Sequence, residues 1–412
     1  MDISDKENSC LIVGGSHAGA QLAISLRQMG WQGRIKIISE EAYLPYQRPP
    51  LSKALLAGKQ ELENVYIRPE TLYEKQNIEF ALKTRVAKIN RKAKTVETQT
   101  GEIISYDKLA LCTGARVRKL EICGTDLAGI HYLRNFADVS RIKGELDSPK
   151  KIFIVGGGYI GLEAAASLKQ LNHEVTVVEA AGRVLQRVTA PQVSNFFHAK
   201  HHQQGVSIVT NKQVAEFLGN NKVVEKVVCT DGTVFEADLV IVGIGVRPNE
   251  ELAAQAGLKT NNGIWVDEFA QTDDPDIVAA GDNTNHPNKL LDTRLRLESV
   301  PNAMEQAKAA AASICGKPTE YASLPWFWSD QYTIKLQIAG LNTGYDQVVL
   351  RGDPADGNDS FVAWYLKGGK LLAADCINRP KEFMFAKQLL AKKIDVKPEQ
   401  LTNENFELKQ LV

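Results

Sequence analysis

The chain has 412 residues, with 49 Lys+Arg balanced by 49 Asp+Glu for a formal net charge of zero. That length exceeds one ordinary core and predicts two to three domains, while the balance argues against nucleic-acid or anionic-membrane binding through bulk charge. Hydrophobic residues make up 44%, yet no stretch approaches the roughly 18 apolar residues of a membrane span. The opening MDISDKENS is polar and lacks a secretory pattern, so a cytoplasmic location is expected. Six scattered cysteines (10, 112, 123, 229, 315, 376) form no C-x-x-C pair and no metal-ligand spacing. They read as buried small thiols in a reducing compartment, and neither a bound metal nor disulfide-reducing chemistry is expected.

In chain order, residues 10–13 are a short apolar strand followed by the turn Gly14-Gly-Ser-His-Ala-Gly19. A helix to about residue 29 and a strand over 34–39 complete a βαβ unit ending at Glu40. Arg48-Pro-Pro-Leu-Ser-Lys53 reads as a proline-stiffened loop entering a helix, and 106–113 as a strand closing on Gly114. The first pattern then recurs about 140 residues later: a strand over 151–155, the turn Gly156-Gly-Gly-Tyr-Ile-Gly161, a helix to about residue 171, and a strand over 174–178 ending at Glu179. Residues 237–244 and 276–282 are further strands, the first running into Gly243-Ile-Gly-Val-Arg-Pro-Asn249 and the second ending at Gly281-Asp282. A helix is expected from near Pro301 to Cys315, stopped by Gly316 and Pro318. Beyond residue 324 the texture turns aromatic and alternating, with strands over 333–339, 346–351 and 360–366. The predicted organisation is a first domain in two parts, 1–114 and 245–322, a second over 115–244, and an α+β C-terminal domain over 323–412.

The second glycine motif keeps every position of the dinucleotide fingerprint. Gly156 makes the tight turn, Gly158 lets backbone approach a pyrophosphate, and Gly161 lets the helix pack so that its N-terminus faces the phosphates. Glu179, eighteen residues past Gly161, suits a ribose 2′-hydroxyl and repels a 2′-phosphate, which favours NADH over NADPH; Arg183 nearby works against a stricter preference. In the first motif Ser16 replaces the middle glycine, giving Gly14-x-Ser16-x-x-Gly19, which weakens the signal, and Glu40 restores much of it.

Arg48-Pro-Pro-Leu-Ser-Lys53, Thr113-Gly114, Gly156-Gly-Gly-Tyr-Ile-Gly-Leu-Glu163, Gly243–Asn249, Gly281-Asp282, Glu298-Ser-Val-Pro-Asn-Ala303 and Pro325-Trp-Phe-Trp-Ser-Asp-Gln331 occur in one order along nearly the whole chain. In this the chain resembles the FAD-dependent NADH:ferredoxin reductases of bacterial oxygenase systems. The resemblance implies a glutathione-reductase-like α/β fold with two Rossmann-type domains. It assigns FAD to the first, with Gly14, Ser16, Ala18, Gly19 and Glu40 about the pyrophosphate and ribose. Arg48, Lys53, Val86, Thr113, Gly114, Arg134, Asp282 and Val300 are implied as further FAD contacts, Lys53 near the flavin N5 and Asp282 at the ribityl chain. The helix from Pro301 would point its positive end at the flavin. NAD(H) falls to the second domain, with Gly156, Gly158, Tyr159, Ile160, Gly161, Glu179, Gly243 and Gly245. Catalytic roles are implied for Lys53, for Glu163 as its ion-pair partner, and for Trp328 facing the flavin or on the electron exit path.

Plainer readings stand beside these. Lys53 also fits a solvated helix-start lysine, Val86 an ordinary strand residue, Arg134 a surface arginine, Asp282 a turn former, and Glu163 a carboxylate in the first turn of its helix favouring the dipole. The implied partner is a small acidic 2Fe-2S ferredoxin serving a haem-thiolate monooxygenase. A rubredoxin, a ring-hydroxylating dioxygenase ferredoxin, or a role as flavin redox sensor are the alternatives. A locally basic docking surface follows, with Lys308, Lys335 and Arg379 as candidates, on a monomer or weak dimer.

Overall fold

The computed structural model describes residues 8–355 and 358–412, and its contacts divide the chain into two compact units. One comprises 1–47, 62–116 and 247–325; the other comprises 48–61, 117–246 and 326–412.

The first unit is built on a five-stranded parallel sheet in the order Ile277–Ala279, Lys108–Leu111, Ser9–Val13, Arg34–Ile38, Ile78–Ala81. Its central strand, Ser-Cys-Leu-Ile-Val, is an almost unbroken apolar run because both faces of such a sheet are covered. On one face Cys10, Ile12, Ile35 and Ile37 pack with the helices His17–Gln28 and Val300–Ile314, whose small residues Ala303, Ala307, Ala310 and Ala311 are buried. On the other face Leu11, Val13, Ile38, Leu109 and Leu111 meet Val86, Ile89, Val96 and Ile104 from a three-stranded antiparallel sheet. Each fully buried aliphatic side chain contributes about 1.5–3 kcal/mol, so the sheet is pinned from both sides.

In the second unit the same plan recurs. A parallel sheet runs in the order Ser207–Val209, Glu174–Val178, Lys151–Val155, Leu239–Val242, Ile130–Tyr132. The helix Tyr159–Gln170 connects the strands Lys151–Val155 and Glu174–Val178. Residues 326–412 of this unit add a five-stranded antiparallel sheet, Trp326–Gln331, Ile334–Gly340, Lys370–Ile377, Phe361–Lys367, Gln347–Arg351, covered by the helix Pro380–Ala391. Two of its strands, Trp326–Gln331 and Lys370–Ile377, are additional to those expected from alternation. The latter, Lys-Leu-Leu-Ala-Ala-Asp-Cys-Ile, is buried over its second half and does not alternate.

Other elements depart from expectation at their ends. Arg48–Lys53 does not lead into an α-helix: Pro49–Ser52 is a single 3₁₀ turn, ended where Lys53 leaves the helical region at φ −127°, ψ −110°. The long helix begins at Val300, one residue before Pro301, because Ser299 caps it through Asn302 N–H. Glu163 is the fifth residue of Tyr159–Gln170 and so lies just beyond the first turn. No helix among the described residues is long and apolar enough to cross a membrane.

Candidate functional site

Both parallel sheets carry a glycine turn at the carboxyl end of their central strand, beside the point where strand order reverses. That crevice is where open α/β sheets bind dinucleotides. In the second unit Gly156 adopts φ +109°, and a Cβ there would lie 2.5 Å from the Gly243 carbonyl oxygen. In the first unit Gly14 has φ +117° and an imagined Cβ only 2.0 Å from the Cys112 carbonyl oxygen. No other residue fits either position, so both turns are dictated by backbone clearance.

Gly158 is different: a Cβ there would meet no protein atom within 4 Å. Protein packing does not explain glycine at that position, whereas an approaching pyrophosphate does. Gly158 is also the N-cap of Tyr159–Gln170 and offers no side-chain cap, and the first turn holds no acidic residue. The free amides and dipole of that helix end thus suit an anion. In the first unit Ser16 is the N-cap of His17–Gln28, with no side-chain capping bond and no acid in the first turn. Ala18 and Gly19 follow within that helix, and Gly281 lies close to Ala18. Around it, Thr113 donates its hydroxyl to Asn249 O at 2.7 Å and accepts from Asn283 Nδ2 at 3.1 Å, tying Thr113-Gly114 to the strand ends. Both junctions therefore fit the pyrophosphate of a dinucleotide.

The carboxylates that follow the two units differ in setting. Glu179 holds the glycine turn directly, accepting from Gly157 N–H at 2.8 Å and Ala181 N–H at 2.7 Å, with a lone pair left on each oxygen. Glu40 is 71% exposed with Arg85 3.6 Å away. Val86 is buried at the start of Val86–Asn90, Asp282 and Val300 are half-buried, and the Arg134 carbonyl accepts from Arg48 Nη1 at 3.2 Å. Gly243 and Gly245 follow the strand Leu239–Val242, Gly243 opposite Gly156, while Ile160 is exposed on the first turn of its helix.

The carboxylate of Glu163 is buried in the second unit, 3% exposed. Lys53 Nζ lies 2.8 Å from Oε2, Ser52 donates to the same oxygen at 2.5 Å, and Ser329 donates to Oε1 at 2.6 Å. Lys53 is itself 19% exposed and its Nζ also reaches Pro49 O at 3.3 Å. Three donors on one buried carboxylate satisfy a charge that would otherwise be prohibitive to bury. Close by, burial pushes the Asp375 carboxyl up to about 7, with Tyr365 donating to it at 2.5 Å. Burial also holds the Tyr159 phenol well above its ordinary value, and Tyr159 packs edge-on against Phe327 at 5.1 Å. Trp328 stacks obliquely on Trp326 at 5.8 Å.

The structure thus brings together Lys53 and Glu163, the glycines and Glu179 of the second motif, and Gly14 with the strand end at Cys112-Thr113. The basic candidates differ in setting: Lys308 pairs with Glu305 at 2.7 Å and Arg379 with Glu404 at 2.7 Å, whereas Lys335 is exposed on its strand. Of the six free thiols, Cys123 is exposed and Cys315 half-buried, unlike the uniformly buried set expected. Ser52, Ser329, Gln331, His201 and Asp375 escaped the sequence reading. The first three lie inside the quoted motifs, but small polar residues carry no periodic signal.

Comparison with known proteins bears on these junctions. Residues 8–307 match the family model described as pyridine nucleotide-disulphide oxidoreductase, and residues 326–412 match one described as reductase C-terminal. The chain is 42% identical over 410 residues to putidaredoxin reductase of Pseudomonas putida, covering 98% of this chain and 97% of that protein. It is 41% identical to a ferredoxin–NAD(P)(+) reductase of a Sphingomonas species, covering 100% and 99%. Among solved structures, the covalent putidaredoxin reductase–putidaredoxin complex matches with a TM-score of 0.94 at 42% identity, covering 98% of each chain.

Proposed function

From the premise that this chain belongs to the pyridine nucleotide-disulphide oxidoreductase family, we propose that it carries electrons from NADH to a small acidic 2Fe-2S ferredoxin serving a haem-thiolate monooxygenase. It is a flavoprotein oxidoreductase of the ferredoxin reductase type and uses FAD and NAD(H). The flavin supplies the exchange of a hydride for single electrons. Two glycine junctions of one design, each placing a helix N-terminus with no acidic residue in its first turn beside a strand end, carry the reading. The first is assigned to FAD and the second to NAD(H).

The residues bind and orient. Helix amides at Ser16 and Gly158 hold pyrophosphates, and Thr113-Gly114, Asp282 and Val300 line the FAD side. Glu179, fixed by two backbone N–H groups, presents its remaining lone pairs to a ribose diol and opposes a 2′-phosphate, which supports NADH over NADPH. Glu163 holds the Lys53 ammonium at a fixed place, and Lys53 is assigned to the reacting edge of the flavin. Trp328 is assigned to the electron exit. One relative is by name a ferredoxin–NAD(P)(+) reductase and another is solved in a covalent complex with putidaredoxin, which supports a small electron-carrier protein of that class as partner here. Six free thiols suit a reducing cytoplasm.

Lys53→Met is expected to slow flavin reduction by NADH in stopped-flow absorbance; an unchanged rate would remove Lys53 from the reaction. Ferredoxin reduction should slow as salt screens a basic docking face. Indifference to ionic strength would refute electrostatic docking.

A further inference from the structure

Glu163 is one end of a buried hydrogen-bonded line within the second unit. Ser329 Oγ lies 2.6 Å from Glu163 Oε1, Gln331 Nε2 lies 3.2 Å from Ser329 Oγ, His201 Nε2 lies 2.8 Å from Gln331 Oε1, and Tyr332 Oη lies 3.0 Å from His201 Nδ1. Ser329, Gln331 and His201 are each no more than 1% exposed.

The direction of every bond in this line follows from its first member. The ion-paired carboxylate accepts only, so the single Ser329 hydroxyl proton points at Glu163. Ser329 Oγ is then left as an acceptor towards Gln331, which turns the amide NH₂ to Ser329 and the amide oxygen to His201. That oxygen requires a proton on His201 Nε2. Burial pushes the imidazole down to about 4, so the ring is neutral at ordinary pH, its Nδ1 bare, and Tyr332 donates to it. With the amide reversed, Ser329 would face two acceptors with one proton and would lose one of them.

We propose that Gln331 is a positioning residue for the Lys53–Glu163 pair. It acts through Ser329, and His201 fixes the orientation of its amide. The inference rests on the assignment of that pair to hydride transfer. Gln331 touches neither Lys53 nor Glu163, yet it makes donation to Glu163 the only outlet for the Ser329 proton. Without it, Ser329 Oγ loses its donor, the hydroxyl is held by Glu163 alone, and the carboxylate's anchor is less firmly fixed.

Flavin-loaded, full-length Gln331→Met and His201→Phe variants test this beside Lys53→Met and the Lys53→Met/Gln331→Met double variant. Stopped-flow reduction at saturating NADH is one readout. The other, independent of turnover, is trace acetylation of Lys53 by acetic anhydride, read by mass spectrometry against the remaining lysines. Loss of one hydrogen-bonded anchor predicts about fivefold slower reduction with an unchanged NADH Kd, and about fivefold faster Lys53 acetylation. His201→Phe should move both in the same direction, and Gln331→Met should add nothing in the Lys53→Met background. Unchanged Lys53 acetylation in both variants overturns the proposal. So does equal slowing by Gln331→Met with and without Lys53, which would mean that it acts elsewhere. If Lys53→Met reduces at the wild-type rate while Gln331→Met still raises acetylation, the assignment of the pair fails and the positioning role stands.

Discussion

Replacing Glu163 by Gln keeps the shape of the side chain and removes its charge. Three donors, from Lys53, Ser52 and Ser329, converge on the carboxylate within 2.8 Å. An amide offers one oxygen, so one donor must face its NH₂. If the NH₂ replaced Oε2 it would oppose an ammonium, so it takes the place of Oε1. There it donates to Ser329, whose oxygen already accepts from Gln331, and the Ser329 proton is left without an acceptor. One stranded buried hydroxyl together with weakened charge-assisted bonds costs about 2–3 kcal/mol, below the figure for a fully buried pair because Lys53 is partly exposed. That lowers the Tm of the unit by roughly 4–10 °C, measured by circular dichroism on flavin-loaded protein. Glu163→Leu, which offers no acceptor at all, should lower it further. A Glu163→Gln variant melting within about 1 °C of the parent would refute the claim that these donors depend on the charge.

Gly158→Ala should leave the melting temperature unchanged while raising the NADH KM several-fold, since its new methyl meets only space assigned to the pyrophosphate; calorimetric melting and steady-state kinetics check both. Gly156→Ala, clashing with Gly243 O at a left-handed φ, should be destabilised by at least about 2 kcal/mol in urea unfolding and lose NADH binding with it. Asp375 titrates near 7 when folded and near 3.8 when unfolded, so the unfolded chain releases that proton first. Stability therefore falls as pH rises from about 4 to 7 and levels off above, by an amount on the order of a few kcal/mol. Asp375→Asn should flatten that slope, and an unaltered pH profile of urea unfolding would show that the carboxyl is not held protonated.

Much of the fold was legible because glycine turns and apolar parallel strands leave strong marks. The runs Cys-Leu-Ile-Val and Lys-Ile-Phe-Ile-Val, each ending at a glycine, specified both central strands to within a residue. Legibility failed where tertiary partners decide. Nothing periodic distinguishes Lys370–Ile377 as a strand, and its second half is buried by partners on both sides. Pro49-Pro50 announced a stiff turn but not that it would stop after four residues. Around Glu163 the ionic partner was readable through family likeness. Ser52 and Ser329 were not, because a serine that donates to a carboxylate looks in sequence like any surface serine.

The setting of Glu163 also constrains how the protein is made. Its two serine donors lie 111 residues before it and 166 residues after it in the chain. On a ribosome the helix carrying Glu163 emerges long before Ser329 exists, so its carboxylate waits half-partnered while the parallel sheet around it can already form. Closing loops of that length is slow. The last native bonds of the nucleotide-binding unit are therefore made only when the final sheet arrives, and a chain truncated before residue 329 would retain both members of the Lys53–Glu163 pair but lack the hydroxyl that donates to Glu163 Oε1.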